Sequence, residues 1–382
     1  MHVVLCVVVL AAAGSAVEPS ERLSPPLRTL LAVGPKGAGN RRAAEAWQEL
    51  ARSPAERLPN LLAALDGANP LAANWIRTAI DTVAERQLRR GGKLPAAELE
   101  QFVLDRRGAP RARRLAYEWL CRADRSAPRR LLGGMLDDRS REMRRDAVAQ
   151  LIGDAIQVTE LSRPANALPL YRRAFAAARD RDQVELLAGR LRKLGETVDL
   201  PRHFGFILGW KLIGPFDNSA ERGYGVAYPP ERESDPAASY DGKHGKVGWI
   251  DYRSKDDYGK VDLNRAIGEE KGVVGYAMTE FYSAERREAE FRVTSFNAVK
   301  LWFNSRLVDE HNIYHGGSQM DQYRSRGTLL PGRNTILLKV CQNEQTQSWA
   351  RVWGFQLRLC DEHGTAVLST DRPAGPAKTE DR

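Results

Sequence analysis

VKLWFNSRLV (299–308), NTILLKVCQN (334–343) and WGFQLRLCD (353–361) place apolar residues at every second position. Successive side chains of an extended chain point to opposite faces, so this alternation predicts strands with one buried face. Parity then fixes the inward set: Val299, Leu301 and Phe303; Ile336, Leu338 and Val340; Phe355, Leu357 and Leu359. Those three triplets would build a core. Working backwards, FILGWKLIGPFDN (206–218) reads as a strand closed by Gly214-Pro215, and further strands are expected near 245–251, 273–283, 289–295, 325–330 and 365–368. So many short strands separated by turn residues predict an antiparallel β-sandwich of jelly-roll type over residues 204–370.

The preceding half has a different period. From Arg41 to Ile156 apolar residues recur at three- and four-residue spacing between Pro, Gly and Asp breaks, the pattern of short amphipathic helices. Ala112-Arg113 with Ala116 and Leu120 aligns with Met143-Arg144, Ala147 and Leu151. Ile76-Arg77 with Ile80 and Ala84 is a looser copy, and Ala43, Trp47 and Ala51 form another without the Arg. DDRSREMRRDAVAQL (137–151) resembles the second-helix signature of HEAT repeats, which implies a stacked α-solenoid. Two more helices are expected between Ala165 and Gly195, one face carrying Leu168, Tyr171 and Phe175 and the next Val184, Leu187 and Leu191. This hairpin resembles a tetratricopeptide unit and closes a helical-repeat domain over 28–198.

A chain of 382 residues with 42% hydrophobic and 28% charged residues is globular and fits two domains. Its +9 charge is uneven: residues 1–200 hold 33 basic against 24 acidic residues, and the remainder 25 against 25. The basic excess is mostly Arg, dense from Arg106 to Arg145, where it would attract anions or else decorate solvated helix faces. Val3 to Ala13 is an apolar run shorter than the ~20 residues of a membrane helix, and it ends in Gly14, Ser15 and Ala16, which suit signal-peptidase cleavage. A signal peptide over 1–16, a periplasmic or secreted mature protein without a membrane span, and a flexible tail over 371–382 are therefore expected. Cys121, Cys341 and Cys360 are odd in number, and the expected hairpin sets Cys341 and Cys360 out of register, so free thiols are predicted.

WKLIGPFDN (210–218), YDGKHGKVGW (240–249), KLWFNS (300–305) and LPGRNTILLKV (330–340) together resemble the jelly-roll module of exported planctomycete proteins. That module is similar to the sugar-binding domains of family 2 glycoside hydrolases and to PA14-like domains. The resemblance implies carbohydrate binding. Ser305 stands where the usual W-x-N-G turn has Gly.

Candidate ligand-binding residues fall in two places. Lys300, Trp302 and Asn304 share the face opposite the core, where Trp302 would stack on a sugar ring while Asn304 hydrogen-bonds it. The loop QNEQTQSW (342–349) offers Gln342, Asn343, Gln345 and Trp349 at one end of the sandwich. Candidate metal ligands Asp309, His311, His315 and Asp321 cluster in DEHNIYHGGSQMDQY (309–323), with oxygen from Asp217 or Asn218 for calcium; no established ligand spacing is matched, and no cofactor is predicted. No G-x-S-x-G, H-E-x-x-H or P-loop sequence occurs.

The expected function is that of an exported, non-catalytic adaptor, whose β-module binds a glycan or glycoconjugate and whose helical arm docks a protein. The alternatives are a scaffold that binds proteins through both halves, and a glycoside-active enzyme using Asp309 and Asp321. Nucleic acid is not an expected partner, because the leader directs the Arg-rich helices away from it.

Overall fold

The computed structural model describes residues 23–161, 164–233 and 235–372. The expected leader and all but the first two residues of the expected tail lie outside them. The chain divides into two compact units between Leu151 and Ile152. A helical region comes first and antiparallel sheets follow, and the division falls inside one long helix. The helices expected over 28–198 are thus shared between the units.

The first unit holds α1 (Pro25–Leu31), α2 (Asn40–Ala51), α3 (Leu58–Ala63), α4 (Pro70–Arg89), α5 (Ala96–Leu104), α6 (Pro110–Ala123), α7 (Ala127–Leu131) and the start of α8 (Arg141–Leu161). Proline opens α1, α4 and α6, where its missing N–H would have no helical partner. At α4 the Asn69 side chain accepts from the Leu71 and Ala72 N–H groups at 2.9 Å, closing the helix start. The aligned positions Ala43, Ile76, Ala112 and Met143 are all fully buried in one core with Ala116 and Ala147.

Arginines in this unit close the ends of helices other than their own. Arg86 donates to the carbonyls of Ala51, the last residue of α2, and of Ser53 beyond it, and Arg111 to those of Leu65 and Ala68 after α3. Arg113 donates to Val103 O in the last turn of α5 at 2.8 Å and grips Asp138 through two bonds of 2.8 and 2.9 Å, with both side chains buried. Arg144, at the matching position of α8, donates to Asp138 O. At Arg86, Arg111 and Arg113 the guanidiniums satisfy carbonyls in or just after the last turn of a helix, whereas Arg144 ties down the loop before α8. The reading of the Arg-rich stretch as solvated helix faces therefore fails at Arg113 and Arg144, which are 1% and 6% exposed.

The second unit contains the rest of α8, α9 (Leu168–Ala177), α10 (Arg181–Lys193), α11 (Leu200–Phe204), β1 (Gly209–Asp217), β2 (Ser239–Asp241), β3 (Lys246–Gly248), β4 (Ile250–Arg253) and β5 (Val261–Asp262). There follow α12 (Leu263–Ala266), β6 (Val273–Ser283), β7 (Arg287–Thr294), β8 (Ala298–Phe303), β9 (Arg306–His311), β10 (Tyr323–Leu329), β11 (Gly332–Gln342) and β12 (Gly354–Cys360). One antiparallel sheet runs β4-β1-β6-β11-β8-β9 and another β10-β7-β12-β5, with β2 and β3 paired separately. Strand β1 is not closed by Gly214-Pro215; its register shifts between Ile213 and Phe216, and pairing continues to Asp217 opposite Val273. All nine residues of the three inward triplets lie in a single core to which both large sheets contribute.

The other face of the six-stranded sheet is covered by the chain between β1 and β4. Phe216 stacks on Tyr228 with ring centroids 4.9 Å apart. Lys339, fully buried, donates to Val226 O at 2.7 Å and to Glu231 at 2.8 Å. A buried ammonium requires such partners. Cys341 lies on this covered face and Cys360 on β12, both buried; these two and the half-buried Cys121 are free thiols.

Candidate ligand-binding site

Strand register brings several loops to one end of the two sheets. Asp217 and Gln342 both pair with Val273, Cys341 with Ala298, Gln356 with Thr294, and Gly354 with Asp262. The segments after Asp217, Thr294, His311 and Gln342 therefore emerge together with those leading into β6, β10 and β12.

Buried amides tie these loops down. Asn297 donates to Gln342 Oε1 at 2.6 Å and to Val352 O at 3.1 Å, and it accepts the Gly354 N–H at 3.0 Å. Gln342 donates to Ala350 O at 3.2 Å. Asn218 donates to Gln342 O at 2.9 Å and to Tyr314 Oη at 3.1 Å. Gly354 permits the close approach of β5: a Cβ there would lie 2.3 Å from Val261 O. The hydrogen bonds among these amides are buried or partly buried, so the loop positions they set are costly to disturb.

Beside this frame opens a cavity of about 480 Å³, lined among others by Asn264, Thr294, Phe296, Arg351, Val352 and Gln356. Phe296 and Val352 supply apolar wall, and Val352 is half exposed. Gln356 is 6% exposed, and among the described residues its amide has no hydrogen-bond partner. It stands opposite Thr294 in the β7–β12 register, on the face away from the core. The amide reaches the cavity, where a ligand hydroxyl can replace water as its hydrogen-bond partner. The sequence signal for it was present: Gln356 is the polar residue between the inward Phe355 and Leu357.

The residues expected from sequence divide sharply. His315, Asn343 and Trp349 do come together: His315 Nε2 lies 3.1 Å from Asn343 Oδ1, and the Trp349 ring meets the imidazole edge-on at 4.9 Å. Asn343 also donates to Glu221 at 3.2 Å and accepts the Gln345 N–H at 3.3 Å. Trp349 is 56% exposed. Gln345 is exposed, whereas Gln342 is buried and engaged at both ends of its amide.

Trp302 is half-buried and packs on the covered face of the six-stranded sheet, so it offers no open stacking platform. Asn304 is a turn residue: it and Ser305 take φ of 47° and 63° between β8 and β9, the left-handed pair of a type I′ hairpin. Its side chain accepts the Thr335 N–H at 2.8 Å and donates to Asn334 at 3.0 Å.

The expected metal set does not converge. Asp309 pairs with His311 at 2.9 Å, and His311 stacks on Tyr323 with centroids 3.7 Å apart. Asp321 accepts from Arg292 and twice from Arg358, and His315 is held by Asn343. Among the described residues no three His, Cys, Asp or Glu side chains are grouped to hold a metal ion. No described helix is long and apolar enough to cross a membrane.

No protein-family model matches the sequence, and no curated protein is significantly similar to it. Among solved structures, an anti-sigma factor domain-containing protein from Clostridium clariflavum is similar over 45% of this chain and 48% of its own, at 13% identity and TM-score 0.26. A β-glucosidase from Kluyveromyces marxianus is similar over 45% of this chain and 22% of its own, at 12% identity and TM-score 0.27. A family 35 carbohydrate binding module from Clostridium thermocellum is similar over 23% of this chain and 71% of its own, at 10% identity and TM-score 0.18. This chain therefore spans about half the length of the first of these and about a fifth of the second.

Proposed function

We propose that the second unit is a jelly-roll binding module for a glycan or glycoconjugate, and that the ligand enters at the loop-bearing end of the sheets. The observation that carries this reading is the unpartnered Gln356 amide in the cavity beside Thr294 and Phe296. Sugars present hydroxyls to amides and C–H faces to aromatic rings, and this wall offers both. Exposed Trp349 at the same end extends the apolar surface. On this reading the protein is an exported, non-catalytic adaptor, and its HEAT-like helical unit docks a protein. The test is a broad glycan array probed with residues 17–382, followed by calorimetry. Saturable binding weakened in Gln356→Ala, with melting temperature unchanged, supports the module. A blank array from folded protein shifts the reading to a protein-binding scaffold.

A further inference from the structure

We infer that the cavity beside Gln356 selects saccharides carrying an anionic group, a carboxylate or a sulfate; this deepens the glycan reading and rests on it. Arg351 and Lys260 both line the cavity, are exposed, and have no ion-pair partner among the described residues. Cations buried or half-buried against the sheets are matched, Arg292 and Arg358 by Asp321, Lys339 by Glu231 and Lys300 by Glu310, whereas Arg351 and Lys260 stand exposed at the cavity. The carboxylate in the lining, Asp262, caps α12 by accepting the Arg265 N–H at 3.2 Å. A further cation, Lys271, donates to Ala350 O at 2.7 Å, and burial together with the Arg351 charge lowers its pKa. The lining therefore carries two cations against one carboxylate, a net positive charge.

A neutral sugar would leave Arg351 and Lys260 as they are in the free protein. An acidic sugar would gain charge-assisted bonds from them, and a guanidinium fork matches a carboxylate or sulfate edge. Gln356 can donate to the same anion or accept a ring hydroxyl. Thr294 Oγ1, which donates to Gln319 O at 3.1 Å, retains lone pairs for another hydroxyl.

The full chain is titrated calorimetrically with an α-1,4-linked galacturonic acid trisaccharide, the matching neutral galactose trisaccharide, and that neutral sugar bearing one sulfate. An anionic ligand should bind about ten-fold more tightly than the neutral one at low salt, with the gap narrowing as salt screens it. Arg351→Gln should narrow the gap by weakening the anionic sugars more than the neutral one, while Gln356→Leu should weaken all three sugars. The two anionic arms distinguish carboxylate from sulfate. Equal affinity for neutral and anionic sugars, or a gap that survives combined Arg351→Gln and Lys260→Gln substitution, overturns this inference and leaves the glycan module standing. Absence of binding to all three sugars overturns this inference, whereas the glycan reading falls only with a blank array.

Discussion

Arg358 holds Asp321 with two parallel N–H···O bonds of 2.7 Å, one to each carboxylate oxygen. Arg292 adds a third at 2.8 Å, and Asp321 itself sits at φ 63°. The segment 312–322 is thereby latched onto the outer face of the four-stranded sheet beside the cavity. Asp321→Asn should destabilise the second unit by about 3–5 kcal/mol, the cost of leaving buried guanidiniums uncompensated. Urea unfolding followed by near-UV circular dichroism would measure it, and a loss below 1 kcal/mol would sink the latch.

The same carboxylate predicts an acid response. Burial alone would raise the Asp321 pKa, but the Arg358 bonds and the charges of Arg358 and Arg292 outweigh it and hold it below the usual carboxylate range. Its contribution is therefore full above an unfolded pKa of about 3.9 and is lost as pH falls through the lower folded value. Asp321→Asn should flatten the acid limb of the unfolding curve.

His203 works at milder pH. Burial drives its pKa down to about 4, even though its Nε2 lies 2.9 Å from the Ala178 carbonyl, and its ring packs on Phe175 at 4.2 Å. The unfolded chain binds the proton more readily, so stability is unaffected above pH 6.5 and declines between that value and about 4, by roughly 3 kcal/mol at the lower end. His203→Gln should remove that slope. An unchanged slope in the variant would show that another group titrates.

The two candidate tryptophans should separate cleanly. Trp302→Ala removes a half-buried ring from the packed face of the six-stranded sheet and should cost about 2 kcal/mol. Trp349→Ala should leave the melting temperature within a degree or two and affect only ligand binding. Thermal melts of both variants decide the point.

At the β8–β9 turn the hydroxymethyl of Ser305 opposes the backbone. Ser305→Gly should stabilise by about 0.5–1 kcal/mol by relieving the left-handed conformation. Asn304→Ala should destabilise by about 2 kcal/mol through loss of two hydrogen bonds. Paired urea titrations would show opposite signs.

What the sequence made legible is the part governed by period. Alternation placed Leu301, Leu338 and Leu357 in a common core, and helical spacing placed Ile76, Ala112 and Met143 in another. It singled out the 342–349 loop as a ligand site and His315 as a metal ligand without showing that they meet, because their contact depends on pairing between β8, β9 and β11. Trp302 was misread for a physical reason: a residue facing away from one core can face a second, here made by the long excursion after β1. Asp321 was misread because acidic residues near histidines also suit metal binding, while its partners Arg292 and Arg358 lie on strands remote in sequence.

The guanidinium joints of the helical unit carry a consequence for how such a chain can drift. Arginine and lysine are interchangeable in any count of charge, and a lineage exchanging one for the other would keep its isoelectric point. At Arg113 the exchange would leave a single ammonium to serve the Val103 carbonyl and both oxygens of Asp138, which one planar fork now reaches together. Exposed positions such as Arg41 are open to that exchange and Arg113 is closed to it. Two descendants of this chain with the same net charge would then differ in whether their helices still lock end to end.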